Sequence, residues 1–295
     1  MPGAPEPLYV LARRVLLDAL EALGGQQGAV ILVGAQAVYL HTGEADLAVA
    51  EYTTDGDIAI DPSALRPEPR LEESLTAAGF SQDLQEVGRW LTTRYLDVDP
   101  VTVKVDLLVP EAVGGPGRRA ARIGEHGKRT ARKARGLEAA LLDWERMEVG
   151  SLDGADDRRF DIKVAGPAAL LVAKLHKIAE RVDSPDRAED KDALDILRLL
   201  RAVPIGTLAG GLRRLGGEEL SAGVTAQAII FLRDLFGRPT NLGSEMASRA
   251  AAPLEDEDTI RESCAALASR QRGGRSPKGG SLKGTWDTMK HPPPC

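Results

Sequence analysis

Cysteine is nearly missing from this chain: among 295 residues only Cys264 and Cys295 carry a thiol. Two such residues cannot build a disulfide framework or a metal cluster, which points to a reducing, cytoplasmic setting. Aromatic residues are scarce too, at 4%, so the core has to be filled by Ala, Leu and Val, a composition that favours a helix-rich protein. No stretch approaches the roughly 18 uninterrupted apolar residues of a membrane span, and the opening MPGAPEPLYVLARR lacks the charged start and sustained apolar run of an export signal. His41, His126, His176 and His291 are scattered without zinc-ligand spacing. Neither a P-loop, a dinucleotide fingerprint nor a G-x-S-x-G turn occurs. Charge of one sign is lacking as well, since a net charge of −6 does not by itself select a partner.

What is present is enough apolar material, 43% of the chain, to fill a core. Leu8 to Leu23 has the periodicity of an amphipathic helix, closed by Gly24-Gly25. Ala29 to Val33 reads as a buried strand, broken at Gly34 into a helix over Ala35 to Leu40. Strands are predicted over Asp57 to Ile60, Val87 to Thr93 and Val101 to Leu108, with a helix over Leu71 to Ala78. Phe160 to Val164 alternates like an edge strand. From Pro167 onward the pattern is helical: Ala168 to Val182, Lys191 to Arg201, Ala226 to Leu235 and Ile260 to Ser269. The expected architecture is an α/β (α+β) core with a small mixed sheet over residues 1–140, a mostly helical domain over 141–268, and a disordered tail over 269–295.

The chemistry concentrates in Thr53-Thr54-Asp55-Gly56-Asp57-Ile58-Ala59-Ile60. On a strand, residues two apart share a side, so Asp55 and Asp57 present two hard oxygen ligands to one space. Such a pair repels unless a cation lies between, and Mg²⁺ takes one or two carboxylates together with substrate phosphates; a solvated turn is the plain alternative. Asp106 is the one acid within VTVKVDLLV, where a carboxylate needs a metal or a cationic partner; Lys104 or an arginine would also serve. Gly34 and Ala35 stand where a strand ends and a helix begins, a place whose free N–H groups attract phosphate, or an ordinary tight turn.

Two further clusters stand out. Lys174, Lys177 and Arg181 share one helical face by their i, i+3, i+7 spacing, and Asp192 and Asp195 follow at i, i+3. Either the lysines and arginine face a triphosphate, with Lys174 best placed as a compact charge, or the two groups form salt bridges across the helices. Arg118 to Arg135 holds eight Lys or Arg against Glu125. Arg129, Arg132 and Lys133 there are candidate RNA contacts, since positive charge beside an active site gives sequence-independent affinity; a solvated loop is the alternative.

The order VGAQAVYLHTG, YTTDGDIAI, VKVDLL resembles the signature of the DNA polymerase β-type nucleotidyltransferase superfamily over roughly the first 110 residues. PAALLVAKLHKIAERVDSPDRAEDKDALDILRLL is similar to the C-terminal motif of the AbiEii-like nucleotidyltransferases, the MenT-like toxins of type IV toxin–antitoxin systems. Ala35 stands where that family has a second Gly or Ser, and Tyr52 occupies the neighbourhood of an arginine found in many relatives. The resemblance implies a metal-dependent nucleotidyltransferase using Mg²⁺ or Mn²⁺, with Asp55, Asp57 and Asp106 as metal ligands, Asp106 doubling as candidate base, and Gly34 and Lys174 on the phosphates. It further implies an NTP as donor, the tRNA 3′ end as acceptor, and a cognate antitoxin protein as partner. A small-molecule nucleotidyltransferase and a catalytically silent binding protein are the rival expectations.

Overall fold

A computed structural model of the chain describes residues 5–43, 53–182, 190–252 and 254–270. Tyr52 and nearly all of the expected tail lie outside these residues. The protein is mixed α/β with a mixed sheet, and 52% of it is helical.

The first helix, α1 (Pro7–Ala22), starts with proline at its first turn and with the Glu6 carboxylate accepting from the Tyr9 N–H at 3.0 Å. It buries Ala12, Leu16, Ala19 and Leu20, and each fully buried leucine contributes about 1.5–3 kcal/mol. β1 (Val30–Val33) is buried at all four positions and runs without a connecting residue into α2 (Gly34–Thr42). Next come β2 (Asp55–Ile60), α3 (Leu71–Ala77), β3 (Ser81–Gln82), β4 (Arg89–Leu96), β5 (Asp99–Pro110) and β6 (Arg132–Ala134). β7 (Trp144–Gly150) and β8 (Arg159–Ala165) complete the sheet. Its order is β3-β4-β5-β2-β1-β8-β7, with β6 also on β5. β1 is antiparallel to β2 and parallel to β8, while β2 is parallel to β5.

The sheet therefore runs past residue 140 and ends at Ala165. The segment expected as an edge strand lies inside, flanked by β1 and β7. Its outer neighbour β7 has no comparable sequence signature: WERMEVG buries only Val149 and carries no apolar alternation. The remaining helices are α4 (Pro167–Ala179), α5 (Asp190–Ala202), α6 (Ile205–Gly217), α7 (Ala222–Phe236), α8 (Leu242–Ala251) and α9 (Glu257–Arg270). α6 and α8 lie outside the helices expected from the sequence; α6 holds five glycines, poor helix formers, although Leu208, Leu212 and Leu215 make its buried stripe. No helix among the described residues is long and apolar enough to cross a membrane.

Candidate functional site

The site begins with strand register. Asp57 lies level with Asp106 on β5, and Asp106 lies level with Arg89 on β4. Two residues along, Asp55 is level with Lys104, and Lys104 with Leu91. Residues opposite one another across a sheet share a face, so this face carries three carboxylates and two cations. Gly56, between the acids, points the other way: a Cβ there would lie 3.2 Å from Leu16 Cδ1 on α1. Asp55 and Asp57 therefore turn toward the opposite side, where Lys177 of α4 and, for Asp55, Lys191 of α5 act on them.

Asp57 is the unbalanced member. No hydrogen bond from another described residue reaches its carboxylate, and burial raises it to about 6, with Asp55 and Asp106 adding to the rise and Lys177 opposing it. Burial also pushes Asp55 up, but Lys191, the Thr53 hydroxyl, Lys177 and Lys104 outweigh this and hold it below its ordinary value. The Asp57 carboxylate occupies the space that a Cβ would fill at Gly34, whose φ is +73°. Glycine is thus demanded there twice, by the left-handed backbone and by the close approach of Asp57. The next residue, Ala35, is buried. The first turn of α2 and the acid pair are consequently one unit.

A buried relay that the sequence did not suggest fixes this unit. The Gln36 amide donates to the Asp55 carbonyl at 2.9 Å, and Arg13 Nε donates to Gln36 Oε1 at 2.6 Å. Arg13 is also bonded to Tyr9 and to the Gly150 carbonyl. The Thr53 hydroxyl donates to Asp55 Oδ1 at 2.5 Å. An arginine at the seventh position of α1 and a glutamine at the third position of α2 give no sequence signal of this kind.

Asp106 differs from the expectation of a metal ligand and base. Arg89 Nε donates to its Oδ1 at 3.1 Å and Arg132 Nη2 to its Oδ2 at 2.8 Å. Both oxygens are committed to guanidinium groups, which is the arginine-partner alternative. Lys174 differs as well. Instead of facing a cleft it is 4% exposed, with Nζ donating to Asp192 Oδ1 at 2.7 Å and Asp195 Oδ2 at 2.6 Å. Burial works against its charge, yet Asp192 and Asp195 raise its pKa well above the ordinary value. Lys177 Nζ lies 3.0 Å from Asp192 Oδ1, and Arg181 Nη1 lies 3.6 Å from Asp192 Oδ2. Salt bridging between α4 and α5 thus accounts for Lys174, Asp192 and Asp195, while Lys177 acts on Asp55 and Asp57 as well.

The basic run is likewise employed internally. Arg129 donates to the carbonyls of Asp83 and Leu84, Lys133 to those of Gly115 and Gly117, and Arg132 to Asp106. The expected RNA contacts thus hold the protein's own groups, although Arg129 is itself exposed, as are Arg118, Arg122 and Lys128.

Among the described residues no group of three or more His, Cys, Asp or Glu side chains is arranged to hold a metal ion, in keeping with the turning of Asp106 toward its arginines. Asp55 and Asp57 still offer two adjacent carboxylates, the number that Mg²⁺ takes when phosphates supply the rest, so the pair fits such an ion. A cavity of about 730 Å³ lies elsewhere, lined by Arg14, Asp18, Arg94, Asp156 and Arg158. Asp18 and Asp156 there are bonded to Arg94 and Arg158, and Arg94 projects from the sheet face opposite the acids. Compared with known protein families, curated proteins and solved structures, the chain matches none.

Proposed function

We propose that the protein is a metal-dependent nucleotidyltransferase that moves a nucleoside monophosphate from an NTP to an acceptor hydroxyl. The carrying observation is Asp57: a carboxylate raised to about 6 by burial and by Asp55 and Asp106, seated against Gly34 at the start of α2. A cation and a phosphate would relieve that arrangement together, the cation by offsetting the acids and the phosphate by meeting the helix N-terminus. Asp55 and Asp57 would hold Mg²⁺ or Mn²⁺, which when bound offsets charge on the triphosphate and favours ionisation of the attacking hydroxyl. The acceptor oxygen forms a bond to the α-phosphorus, the α–β bridging P–O bond breaks, and pyrophosphate leaves. The hydroxyl proton passes to a carboxylate of the cluster. Lys177, on the face of α4 that acts on both acids, takes the charge-offsetting role once expected of Lys174.

The resemblance to the AbiEii-like family supports the tRNA 3′ end as acceptor, in the cytoplasm, with an antitoxin as partner. One observation favours a second reading, a small-molecule acceptor: Arg129 and Lys133 are engaged within the protein. Incubation with Mg²⁺, each labelled NTP and total tRNA tests both. Labelled RNA supports the tRNA reading, and label on an added aminocyclitol or nucleoside supports the second. Absence of any transfer, with Asp57→Asn behaving like the wild type in Mg²⁺ binding, removes the proposal.

A further inference from the structure

Arg89 and Arg132 come from separate strands and meet on one carboxylate. Each approaches a different oxygen of Asp106, at 3.1 and 2.8 Å. Asp106 brings one carboxylate to two guanidinium groups; Glu86 and Asp83, the latter at 3.9 Å, act further on Arg89, and Glu180 acts on Arg132. Neither guanidinium is sealed: the side chains are 27% and 24% exposed, against 8% for Asp106. Among the described residues Arg132 donates through Nη2 alone, so its remaining N–H donors are available for an oxyanion.

Their placement is fixed by backbone rather than by chance contact. Arg132 stands at the start of β6, level with Leu108 on β5. The chain before it is fastened by Gly88 N–H to the Arg129 carbonyl at 3.0 Å and by Trp90 Nε1 to the Thr130 carbonyl at 3.0 Å. Arg89 lies in the same cross-strand row as Asp106 and Asp57, about 10 Å from Asp57 across two strand spacings. A phosphate chain beginning at Asp57 would therefore run toward this fork. Preorganised donors of this kind lose little freedom on binding.

We infer that Arg89 and Arg132 form the phosphate-binding part of the site, and that Asp106 is a positioning residue that holds their fork in place. The ligand chemistry is a phosphate oxyanion, either of a nucleotide's triphosphate or of an acceptor phosphodiester. The inference rests on the nucleotidyl-transfer reading for the location of the substrate, and phosphate binding is measurable without transfer.

The full chain is titrated by calorimetry with inorganic tripolyphosphate in EDTA, and separately with a short RNA bearing a 3′ hydroxyl. Wild type is compared with Arg89→Lys and Arg132→Lys, which keep a positive charge on Asp106 and so preserve the fold; thermal melts verify this. Loss of a charge-assisted bond should weaken tripolyphosphate binding by about tenfold or more. The same loss confined to the RNA assigns the fork to the acceptor phosphodiester. In the transfer assay the lysine variants should raise KM more than they lower kcat, whereas a merely structural role would lower kcat alone. Equal affinity of wild type and both variants for both probes overturns the inference, as does a wild type that binds neither. Arginine-dependent phosphate binding without any nucleotide transfer would instead refute the catalytic reading and leave this one standing.

Discussion

Asp57→Asn should remove activity and yet stabilise the metal-free protein at neutral pH. The folded-state pKa of Asp57 is raised from 3.8 to about 6. Between those values the native chain holds a proton that the unfolded chain has released, so native stability falls as pH rises through the window and remains lowered above it. A shift of this size corresponds to about 3 kcal/mol. The side chain retains some solvent contact and an amide brings hydrogen-bonding needs of its own, so Asn should recover about 1–2 kcal/mol. For chains of this order that is a rise of about 2–8 °C in Tm. Melts in EDTA at pH 7.5 and pH 4 measure it: the variant should lead at the higher pH, and the difference should close at the lower. Mg²⁺ should narrow the gap at pH 7.5 by stabilising only the wild type. A variant less stable than wild type at pH 7.5 would show that Asp57 has a structural partner, and the argument for a cation site would fail.

Lys174→Ala should leave Asp192 and Asp195 without their shared ammonium and cost about 3–5 kcal/mol in urea denaturation; a stable variant with raised KM would return Lys174 to the phosphates. Gly34→Ala should both strain a φ of +73° and press on the Asp57 carboxylate, giving a loss of about 1–3 kcal/mol together with loss of Mg²⁺ binding by calorimetry. Arg129→Gln with Lys133→Gln should lower the melting temperature by loosening the 115–133 segment, as read by hydrogen exchange, and unchanged protection there would free both residues for a ligand. Divalent-cation affinity should fall as pH drops below about 6, because protonation of Asp57 competes with the ion; a flat profile from pH 5 to 8 would contradict the assignment.

The elements of the first half were legible because their signals are local. A continuous VILV run, a glycine stop and a two-residue alternation each determine strand or helix over a few residues, and the bounds of β1, α2 and α3 agree with them to within about two residues. β7 is not legible, for the converse reason. β7 earns its place through seven register pairs with β8, a long-range property that no pattern within WERMEVG announces.

The acids of the site were legible as a type of chemistry, but their partners were not, because partnership depends on register. The hairpin between β4 and β5 leaves Asp97 and Val98 as its two turn residues, with Asp97 at φ 54°, the left-handed conformation that short hairpin turns require. Once that turn is placed, Arg89 must fall opposite Asp106 and Leu91 opposite Lys104. Aspartate at a turn was thus the signal that could have found Arg89. No comparable signal points to Arg132, which reaches Asp106 from 26 residues away along a basic segment whose composition suggested a ligand surface. The same limit applies to Lys174: i, i+3 spacing gathered Lys174 with Lys177 and Asp192 with Asp195, and only the packing of α4 on α5 decided that the lysine meets the aspartates. Spacing along a chain selects which side chains share a face, and it is the pairing of faces that decides whether a charge is spent on the fold or left for a ligand.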